Sequence, residues 1–221
     1  MLQRKIIITS DGSTSIHIPE WNEQYHSIHG AIQEAYHVFI KNGLAYFKQQ
    51  EISILEVGLG TGLNCFITYL EAEKQKLQVN YTSVEAFPIS IAEQQKMNFV
   101  EQLQATQGQT VFEQIHKIEW EKPITLSKSF TLTKRLQKFQ NITDVNSYNL
   151  IYFDAFGPRV QPELWTETIF QKMYHALKLN GILVTYSAKG SVRRAMESVG
   201  FQIERLEGPP GKREMLRAVK V

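Results

Sequence analysis

An aspartate follows a strongly apolar run in the stretch YNLIYFDAFGPRVQPELW, residues 148–165. The apolar run predicts a buried β-strand, and Asp154 stands at its carboxyl end, where ligands bind in open α/β sheets. A carboxylate at that place can orient an amine and receive its proton. Phe156 can stack on a planar substrate, and Pro158 restricts the following loop. Alternatively, Asp154 is a turn or N-cap residue that satisfies only backbone N–H groups.

A glycine-rich loop, EVGLGTG at 56–62, lies between the β-rich run ISILEV and a helical pattern. It departs from the G-x-G-x-x-G dinucleotide fingerprint and suits a ligand that has adenosine and amino-acid parts but no pyrophosphate. Glu85 ends the next predicted strand, where a carboxylate would accept ribose hydroxyls. A tight turn without a ligand is the alternative. We predict S-adenosylmethionine as the cofactor, with these contacts: Glu56, Gly58, Gly60, Gly62, Asn64, Glu85 and Ala86.

Two basic loops occur near the C-terminal end, SAKGSVRR at 187–194 and GPPGKRE at 208–214. If the strand before the second loop runs parallel to the strand before the first, both loops emerge at the ligand edge of the sheet. Clustered cations of this kind suit phosphate contacts with a nucleic acid, although each one alone can be a solvated surface charge. The predicted substrate contacts from these loops are Lys189, Arg193, Arg194, Lys212 and Arg213.

The segment YHSIHGAIQEAYHVF, at 25–39, precedes the sheet and is rich in polar aromatic residues. It can form a lid over the cofactor, with Tyr25, His29 and Glu34 as contacts, or it can simply pack on the sheet. Tyr25 and Glu34 are also predicted as substrate contacts. The six histidines show no HxxxH or HExxH spacing, so no metal site is predicted. Cys65 lies within the helix after the glycine loop and is interpreted as a small core residue.

Strands alternate with helices along most of the chain, which predicts an α/β fold with a parallel sheet covered on both faces. Residues 5–18 read as a small β-hairpin, and helical spacing extends from 29 to about 49. A further helix is predicted over 89–103, whereas 104–127 gives no clear pattern. The last two strands are separated only by GPPGKR and must pair antiparallel. We therefore expect a hairpin and helical extension at 1–50 and a Rossmann-like domain at 51–221.

Composition limits the remaining possibilities. The chain has 221 residues, with 24 Lys and Arg against 22 Asp and Glu, so a basic surface must come from local clustering. A single cysteine excludes an internal disulfide framework and suits a reducing compartment. No run of about 18 apolar residues and no signal-peptide block is present. A cytoplasmic protein without a membrane span is expected.

Five motifs together resemble a known family: HGAIQEAYHVFI, ILEVGLGTGLN, YFDAFGPRVQPELWT, VTYSAKGSVRR and GPPGKREMLRA. They are similar to the tRNA methyltransferases that form 5-methylaminomethyl-2-thiouridine, either alone (MnmD-like) or as the methyltransferase domain of MnmC. The resemblance runs from about residue 25 to the C-terminus and implies a class I methyltransferase fold. It also implies transfer of a methyl group to the primary amine of 5-aminomethyl(-2-thio)uridine at the tRNA wobble position. Asp154 matches the family's substrate-facing aspartate.

The sequence also departs from what the resemblance implies. The fused enzymes carry a flavin domain, which this chain has no room for, so methylation without flavin and dependence on upstream enzymes are expected. Many methyltransferases have an acidic residue after the third strand to hold adenine, and FTLTKRLQKF at 130–139 has none. A small-molecule amine methyltransferase or an aminopropyltransferase-like enzyme is the alternative, since either would use the same sheet and aspartate.

Overall fold

A computed structural model describes residues 2–48 and 50–221. Met1 and Gln49, which the predicted N-terminal extension includes, lie outside the described residues. Two sheets are present, one of three strands and one of eight. The strands are β1 Lys5–Ile8, β2 Thr14–Ile18, β3 Glu23–Gln24, β4 Glu51–Val57, β5 Gln78–Glu85, β6 Pro123–Ser127, β7 Phe130–Leu136, β8 Tyr148–Phe153, β9 Leu177–Thr185, β10 Phe201–Glu207 and β11 Glu214–Lys220.

Seven α-helices accompany these strands in the described residues. The first continues directly into a π-helical turn at Tyr36–Lys41, and short 3₁₀ turns occur in several loops. The helices are α1 Ala31–Ala35, α2 Leu63–Gln75, α3 Ile91–Gln94, α4 Phe99–Gln102, α5 Gln109–Lys117, α6 Glu167–Ala176 and α7 Gly190–Ser198. Within the same part of the chain, no helix is long and apolar enough to cross a membrane.

The large sheet has the strand order β10-β11-β9-β8-β4-β5-β7-β6. Its five central strands, from β9 to β7, pair parallel, and β11 pairs antiparallel with both β9 and β10. The predicted α/β class with a C-terminal antiparallel hairpin is therefore confirmed. Because β10 runs in the same direction as β9, the loops after both strands emerge at the same edge. The chain crosses over on either side of β4, which makes the β4–β8 boundary the topological switch point.

The sheet is buried on both faces by two apolar clusters. Along β4, Ile54 belongs to the cluster beneath α1, α2 and α5, whereas Leu55 and Val57 belong to the cluster beneath α6 and α7. This alternation follows from the pleat, which turns successive side chains to opposite faces. Residues of the N-terminal extension, including Val38 and Phe39, lie in the first cluster and pack on the sheet.

The prediction of one continuous helix over 89–103 is wrong, because the structure has two short helices there, α3 and α4, with a break between them. The first part begins at a capping box formed by Ser90 and Glu93. At the break, the Asn98 side chain accepts a hydrogen bond from the Thr14 backbone N–H at 2.8 Å and donates one to the Gly12 carbonyl at 2.9 Å. These bonds anchor the N-terminal hairpin and replace the helical continuation. The segment without a clear pattern supplies α5 and the edge strand β6, which pairs antiparallel with β7.

Truncation of a core aromatic residue tests the importance of the second cluster. Phe170 is fully buried, and its ring centroid lies 5.2 Å from that of Phe153, the residue before Asp154. Phe170→Ala should lower the free energy of unfolding by about 3–5 kcal/mol, through lost burial and the cavity left behind. Leu179→Ala, at a residue 67% exposed on β9, should change it by less than about 0.5 kcal/mol. Urea unfolding measures both; equal effects would contradict this assignment of the core.

Candidate active site

A large cavity opens at the carboxyl edge of the sheet, where β4, β5 and β8 end. Its volume is about 1290 Å³, whereas small-molecule sites typically occupy about 300–1,000 Å³. The walls come from the glycine loop, the loops after β5, β7 and β8, and the N-terminal extension. This cavity has room for a cofactor together with part of a second ligand.

The glycine loop forms one wall of the cavity with backbone atoms, since Gly58 and Gly60 have no side chains. Gly58 has a φ of +100°, and a Cβ placed there would lie 2.9 Å from the Asp154 carbonyl oxygen. Gly60 has a φ of +50°, and its added Cβ would lie 3.1 Å from the ring of Tyr25. Side chains at these positions would be strained and would clash with the neighbouring wall. The sequence therefore leaves open a cradle that a bound ligand can fill.

Glu85 stands beside this cradle at the end of β5. Its two carboxylate oxygens accept hydrogen bonds from the backbone N–H of Gly60, at 3.1 Å, and of Phe87, at 2.8 Å. A carboxylate has about four acceptor positions, so both oxygens can still accept hydroxyl groups. A bare glycine cradle beside a fixed carboxylate fits the adenosine part of S-adenosylmethionine. Ala86 lies next to it on the same wall.

Three of the predicted cofactor contacts lie beneath the cavity wall and do not line it. Glu56 is fully buried under α2, because the pleat of β4 turns its side chain away from the opening. Gly62 closes the loop with a hydrogen bond from its N–H to the Leu59 carbonyl and packs against His116. Asn64 is 3% exposed and bonds to Asp154. In this structure the three residues occupy supporting positions beneath the wall, and their direct contact with the cofactor stays a prediction.

Asp154 is partly buried on the cavity wall, directly after β8. Its Oδ2 accepts a hydrogen bond from Asn64 Nδ2 at 2.8 Å, and its backbone N–H bonds to the Val57 carbonyl at 3.1 Å. Burial raises the pKa of its carboxyl group to about 7, and the negative charge of Glu34 acts in the same direction. The Asn64 hydrogen bond and the positive charge of Lys212 oppose this rise. Such a group can exchange a proton near neutral pH.

An ion pair joins the N-terminal extension to the C-terminal hairpin beside Asp154. Lys212 Nζ lies 2.5 Å from Glu34 Oε1 and 3.9 Å from the ring centroid of Tyr186. Glu34 also accepts the backbone N–H of Ser27 at 2.8 Å. Both members of the pair line the cavity, and Glu34 is 8% exposed. The extension therefore packs on the sheet and also covers the cavity, which were the two alternatives left open by the sequence.

Aromatic rings line the side of the cavity near this ion pair. The ring of Phe156 makes edge contacts with Trp21 and Tyr25, with centroid distances of 5.4 and 4.9 Å. Burial raises the pKa of Tyr25 to about 12, so its phenol remains neutral. Trp165 instead packs in the core and donates its indole N–H to the Phe156 carbonyl at 2.8 Å. Phe156 and Tyr25 thus line the cavity, and their contact with the substrate stays a prediction.

Pro158 does not line the cavity wall, and its contact with the substrate stays a prediction. The next residue, Arg159, fixes the loop by donating hydrogen bonds to the carbonyls of Trp21 and Asn22 and to the carboxylate of Glu23. The loop after β8 is therefore tied to the N-terminal extension by an arginine as well as being stiffened by proline.

Four of the five predicted basic contacts lie outside the cavity wall. Lys189 precedes α7, while Arg193 and Arg194 lie in its first turns, at the same edge of the sheet as the cavity. Arg193 pairs with Glu197 at 2.6 Å. Arg213 is exposed in the turn between β10 and β11. Of the five, only Lys212 lines the wall, and the other four lie outside it.

The glycine loop is supported from below by two histidines. His26 Nε2 lies 2.7 Å from the Thr61 hydroxyl, and His116 donates its Nε2–H to the Thr61 carbonyl at 3.0 Å. Burial lowers the pKa of each histidine to about 4, so both are neutral. Across residues 2–48 and 50–221, no group of three or more His, Cys, Asp or Glu side chains is arranged to hold a metal ion.

Several wall residues were not predicted from the sequence. Tyr186 stood within the quoted motif VTYSAKG and could have been chosen on that ground. Others were not singled out, because their positions depend on packing between distant parts of the chain. Among them are Arg4, Trp21, His26, Lys138, Phe139 and Gln140.

This architecture and cavity agree with a sequence profile of one family. The profile, described as S-adenosyl-L-methionine-dependent methyltransferase, matches residues 93–221, which is more than half of the chain. The chain therefore belongs to this family of S-adenosylmethionine-dependent methyltransferases.

Two relatives share the name tRNA 5-methylaminomethyl-2-thiouridine biosynthesis bifunctional protein MnmC. That of Cupriavidus metallidurans is 27% identical over 227 residues, covering 95% of this chain and 33% of the relative. That of Delftia acidovorans is 28% identical over 216 residues, covering 91% and 33%. The chain thus spans about a third of the length of these bifunctional relatives.

Solved structures share the fold at lower identity. MnmC2 from Aquifex aeolicus has a TM-score of 0.79 at 24% identity, with 99% of this chain and 70% of that chain covered. Spermidine synthase from Thermotoga maritima has a TM-score of 0.55 at 14% identity, with 100% and 73% covered. Both similarities establish the fold alone.

A methyl group added at Gly58 should distort the glycine cradle and so weaken cofactor binding. Gly58→Ala places a Cβ within 2.9 Å of the Asp154 carbonyl at a φ of +100°, so affinity for S-adenosylhomocysteine should fall by at least about 100-fold. Gly157→Ala is the matched control, because its added Cβ meets its nearest atoms only at 3.6 Å. Titration calorimetry measures both affinities. Unchanged binding by the Gly58 variant would contradict the assigned cradle.

The raised pKa of Asp154 predicts a pH-dependent stability. Between its ordinary value of 3.8 and about 7, the folded state holds this proton while the unfolded state has lost it. The free energy of unfolding therefore falls as pH rises through that window. Asp154→Asn removes the cost of burying an ionised carboxylate. It should stabilise the ligand-free protein by about 1–2 kcal/mol at pH 8, with no gain near pH 4. Urea unfolding at both pH values measures this; a gain that is equal at both would refute the shift.

Proposed function

We propose that this protein transfers a methyl group from S-adenosylmethionine to the primary amine of 5-aminomethyl(-2-thio)uridine at the tRNA wobble position. The observation that carries the proposal is the half-buried carboxyl group of Asp154, with a pKa of about 7, on the wall of a cavity that has room for a cofactor and part of a second ligand. Membership of the family identifies S-adenosylmethionine as the methyl donor. The residues of the cavity wall suggest an amine as the methyl acceptor.

An amine acceptor explains why an acid with this pKa is useful. A free alkylammonium group has a pKa near 10 and carries no lone pair with which to attack. Asp154, once ionised, can orient the ammonium through a hydrogen bond and receive the proton that it must lose. An incoming ammonium would itself favour the ionised form of Asp154. S-adenosylmethionine, when bound, supplies a methyl group made electrophilic by its sulfonium sulfur.

The rest of the wall suits an extruded nucleobase. Phe156, Tyr25 and Trp21 present aromatic surfaces near Asp154, and bases of single-stranded RNA loops commonly stack on such side chains. The cavity is larger than a single small-molecule site, so a base and the cofactor can be held together. The proposed substrate contacts on this wall are Tyr25, Glu34, Phe156 and Lys212.

The basic residues beyond the wall suit the tRNA backbone. Lys189, Arg193, Arg194 and Arg213 lie at the same edge as the cavity opening and do not line it. Phosphate contacts position a nucleic acid without reading its sequence. Lys212 lies on the cavity wall and pairs there with the buried Glu34, so the phosphate contacts are assigned to the other four residues. Of these, Arg193 would exchange its surface ion pair with Glu197 for a phosphate.

Names of the relatives support tRNA over a small-molecule substrate, because the two bifunctional proteins are named for 5-methylaminomethyl-2-thiouridine formation in tRNA. The spermidine synthase fold does not separate the alternatives, since both would use the same sheet. The proposal also includes a cytoplasmic location and upstream enzymes that generate the aminomethyl group. Flavin and metal have no part in the proposed methyl transfer.

The proposal is tested with labelled S-adenosylmethionine and tRNA that carries 5-aminomethyl-2-thiouridine. Nucleoside mass analysis should find one added methyl group on that nucleoside and none on tRNA with an unmodified wobble uridine. Asp154→Asn should lower kcat by about 10²–10⁴-fold while binding S-adenosylhomocysteine and tRNA with near-normal affinity. Equally efficient methylation of the free nucleoside would instead support a small-molecule enzyme, and full activity of the variant would remove the assigned role.

Salt dependence tests the basic edge separately. The double variant Arg193→Gln/Arg194→Gln should raise KM for tRNA about tenfold near 0.1 M salt and flatten its salt dependence. The matched control is Lys74→Gln/Lys76→Asn, at the end of α2 on the opposite edge of the sheet; asparagine tolerates the left-handed backbone of Lys76. The control should leave KM and its salt dependence unchanged. Equal effects of the two double variants would contradict a tRNA-binding edge.

A further inference from the structure

A cluster of buried polar side chains lies directly beneath Asp154. Glu56, on β4, is fully buried, and Ser83 on the adjacent strand β5 donates its hydroxyl to Glu56 Oε2 at 2.6 Å. Tyr81, also on β5, and Asn64, on α2, lie next to the same carboxyl group. Asn64 then donates its Nδ2–H to Asp154 Oδ2 at 2.8 Å. The cluster thus connects a deep carboxyl group to the one at the cavity.

Three atoms of this cluster have no hydrogen-bond partner among the described residues: Glu56 Oε1, Asn64 Oδ1 and the Tyr81 hydroxyl. Buried polar atoms are rarely left unpaired, because each costs about 1–3 kcal/mol. Asn64 Oδ1 can only accept a hydrogen bond. The unpaired oxygen of Glu56 can therefore satisfy it only if that oxygen carries a proton.

We propose that Glu56, Asn64 and Asp154 form a directed hydrogen-bond relay, in which Glu56 is a positioning residue that holds Asp154 through Asn64. In this relay, the protonated Oε1 of Glu56 donates to Asn64 Oδ1, so the amide must present its N–H to Asp154. The Tyr81 hydroxyl donates to the same carboxyl group. Every unpaired atom of the cluster then has a partner.

The charges around the cluster favour this arrangement. Burial raises the pKa of Glu56 well above its ordinary value, and the nearby charge of Asp154 acts in the same direction; hydrogen bonds from Ser83, Tyr81 and Asn64 oppose the rise without cancelling it. The other titratable groups that face Glu56 are Tyr81, Tyr152 and Cys65, which supply no positive charge. An ionised Glu56 would accept only, and would attract the Asn64 N–H away from Asp154.

The orientation of the amide matters for the cavity. If Asn64 were flipped, its carbonyl oxygen would face Asp154 and repel the ionised carboxylate. The groups that face Asp154 from other elements are Glu34 on α1, Lys212 after β10 and Tyr186 after β9. Of these neighbours and Asn64, only Asn64 and Lys212 lower the pKa of Asp154. Loss of the relay should therefore raise that pKa.

The relay is tested first without catalysis, so that it can be judged even if the proposed tRNA methylation fails. Infrared difference spectra between the natural protein and Glu56→Gln should contain the carbonyl stretch of a protonated carboxylic acid at pH 7. Carboxyl carbon NMR should show a higher Asp154 pKa, by about one unit, in Glu56→Leu and in Asn64→Leu. The double variant should add nothing to the single shifts, because both act through one bond.

Glu56→Gln supplies the decisive comparison, since its amide can donate to Asn64 and accept from Ser83 as the protonated acid does. It should restore the Asp154 pKa that Glu56→Leu disturbs. The catalytic consequence rests on the proposed function: kcat should fall about 10–100-fold in Glu56→Leu, with KM for the cofactor little changed, and Glu56→Gln should recover most of it.

Gln94→Leu is the control for removal of a buried polar group, because Gln94 is 3% exposed and also has an unpaired oxygen. It should leave the Asp154 pKa unchanged. An infrared spectrum in which Glu56 is ionised would overturn the relay. So would equal Asp154 pKa values in the Gln and Leu variants of Glu56. If Glu56→Leu does not fold, the relay is still tested by the infrared spectrum and by the Asp154 pKa of Glu56→Gln, which should equal that of the natural protein.

Discussion

Backbone pairing of β4 with both of its neighbours is the constraint on which the site depends. The Gly58 N–H bonds to the Val84 carbonyl of β5, and the Asp154 N–H bonds to the Val57 carbonyl of β4. These bonds set the ends of three parallel strands at one level and bring the Gly58 backbone against that of Asp154. Only a residue without a side chain permits this approach, which is why the cradle and the acid occur side by side.

Acidic side chains around the cavity repel one another when ionised, and the nearby positive charge compensates this repulsion only in part. Asp154, Glu34 and the deeper Glu56 come together with Lys212 as the cation on the wall beside them. In a medium of low polarity, such a cluster favours uptake of protons over full ionisation. The carboxyl group of Glu56 is therefore held neutral, and that of Asp154 can gain or lose a proton near neutral pH. A positively charged ligand would stabilise the ionised form of Asp154.

The parallel sheet, the C-terminal hairpin and the convergence of Gly58, Glu85 and Asp154 could be predicted, because each of these residues ends a predicted parallel strand. The burial of Glu56 could not be predicted, because a position close to a glycine loop in the sequence does not determine to which face of the sheet the side chain points. The break at Asn98 depends on contacts with residues 84 positions away. The roles of Arg4 and Trp21 likewise depend on tertiary packing, which short motifs do not record.

The ion pair between Glu34 and Lys212 joins residues 178 positions apart. During translation, the glycine loop and Asp154 leave the ribosome long before Lys212 does. Until then Glu34 lacks its counter-ion, and the extension has no partner on the C-terminal hairpin. The wall around Asp154 is therefore completed only when Lys212 has emerged and the hairpin of β10 and β11 has folded, so a shorter nascent chain has the cofactor loop without a finished cavity.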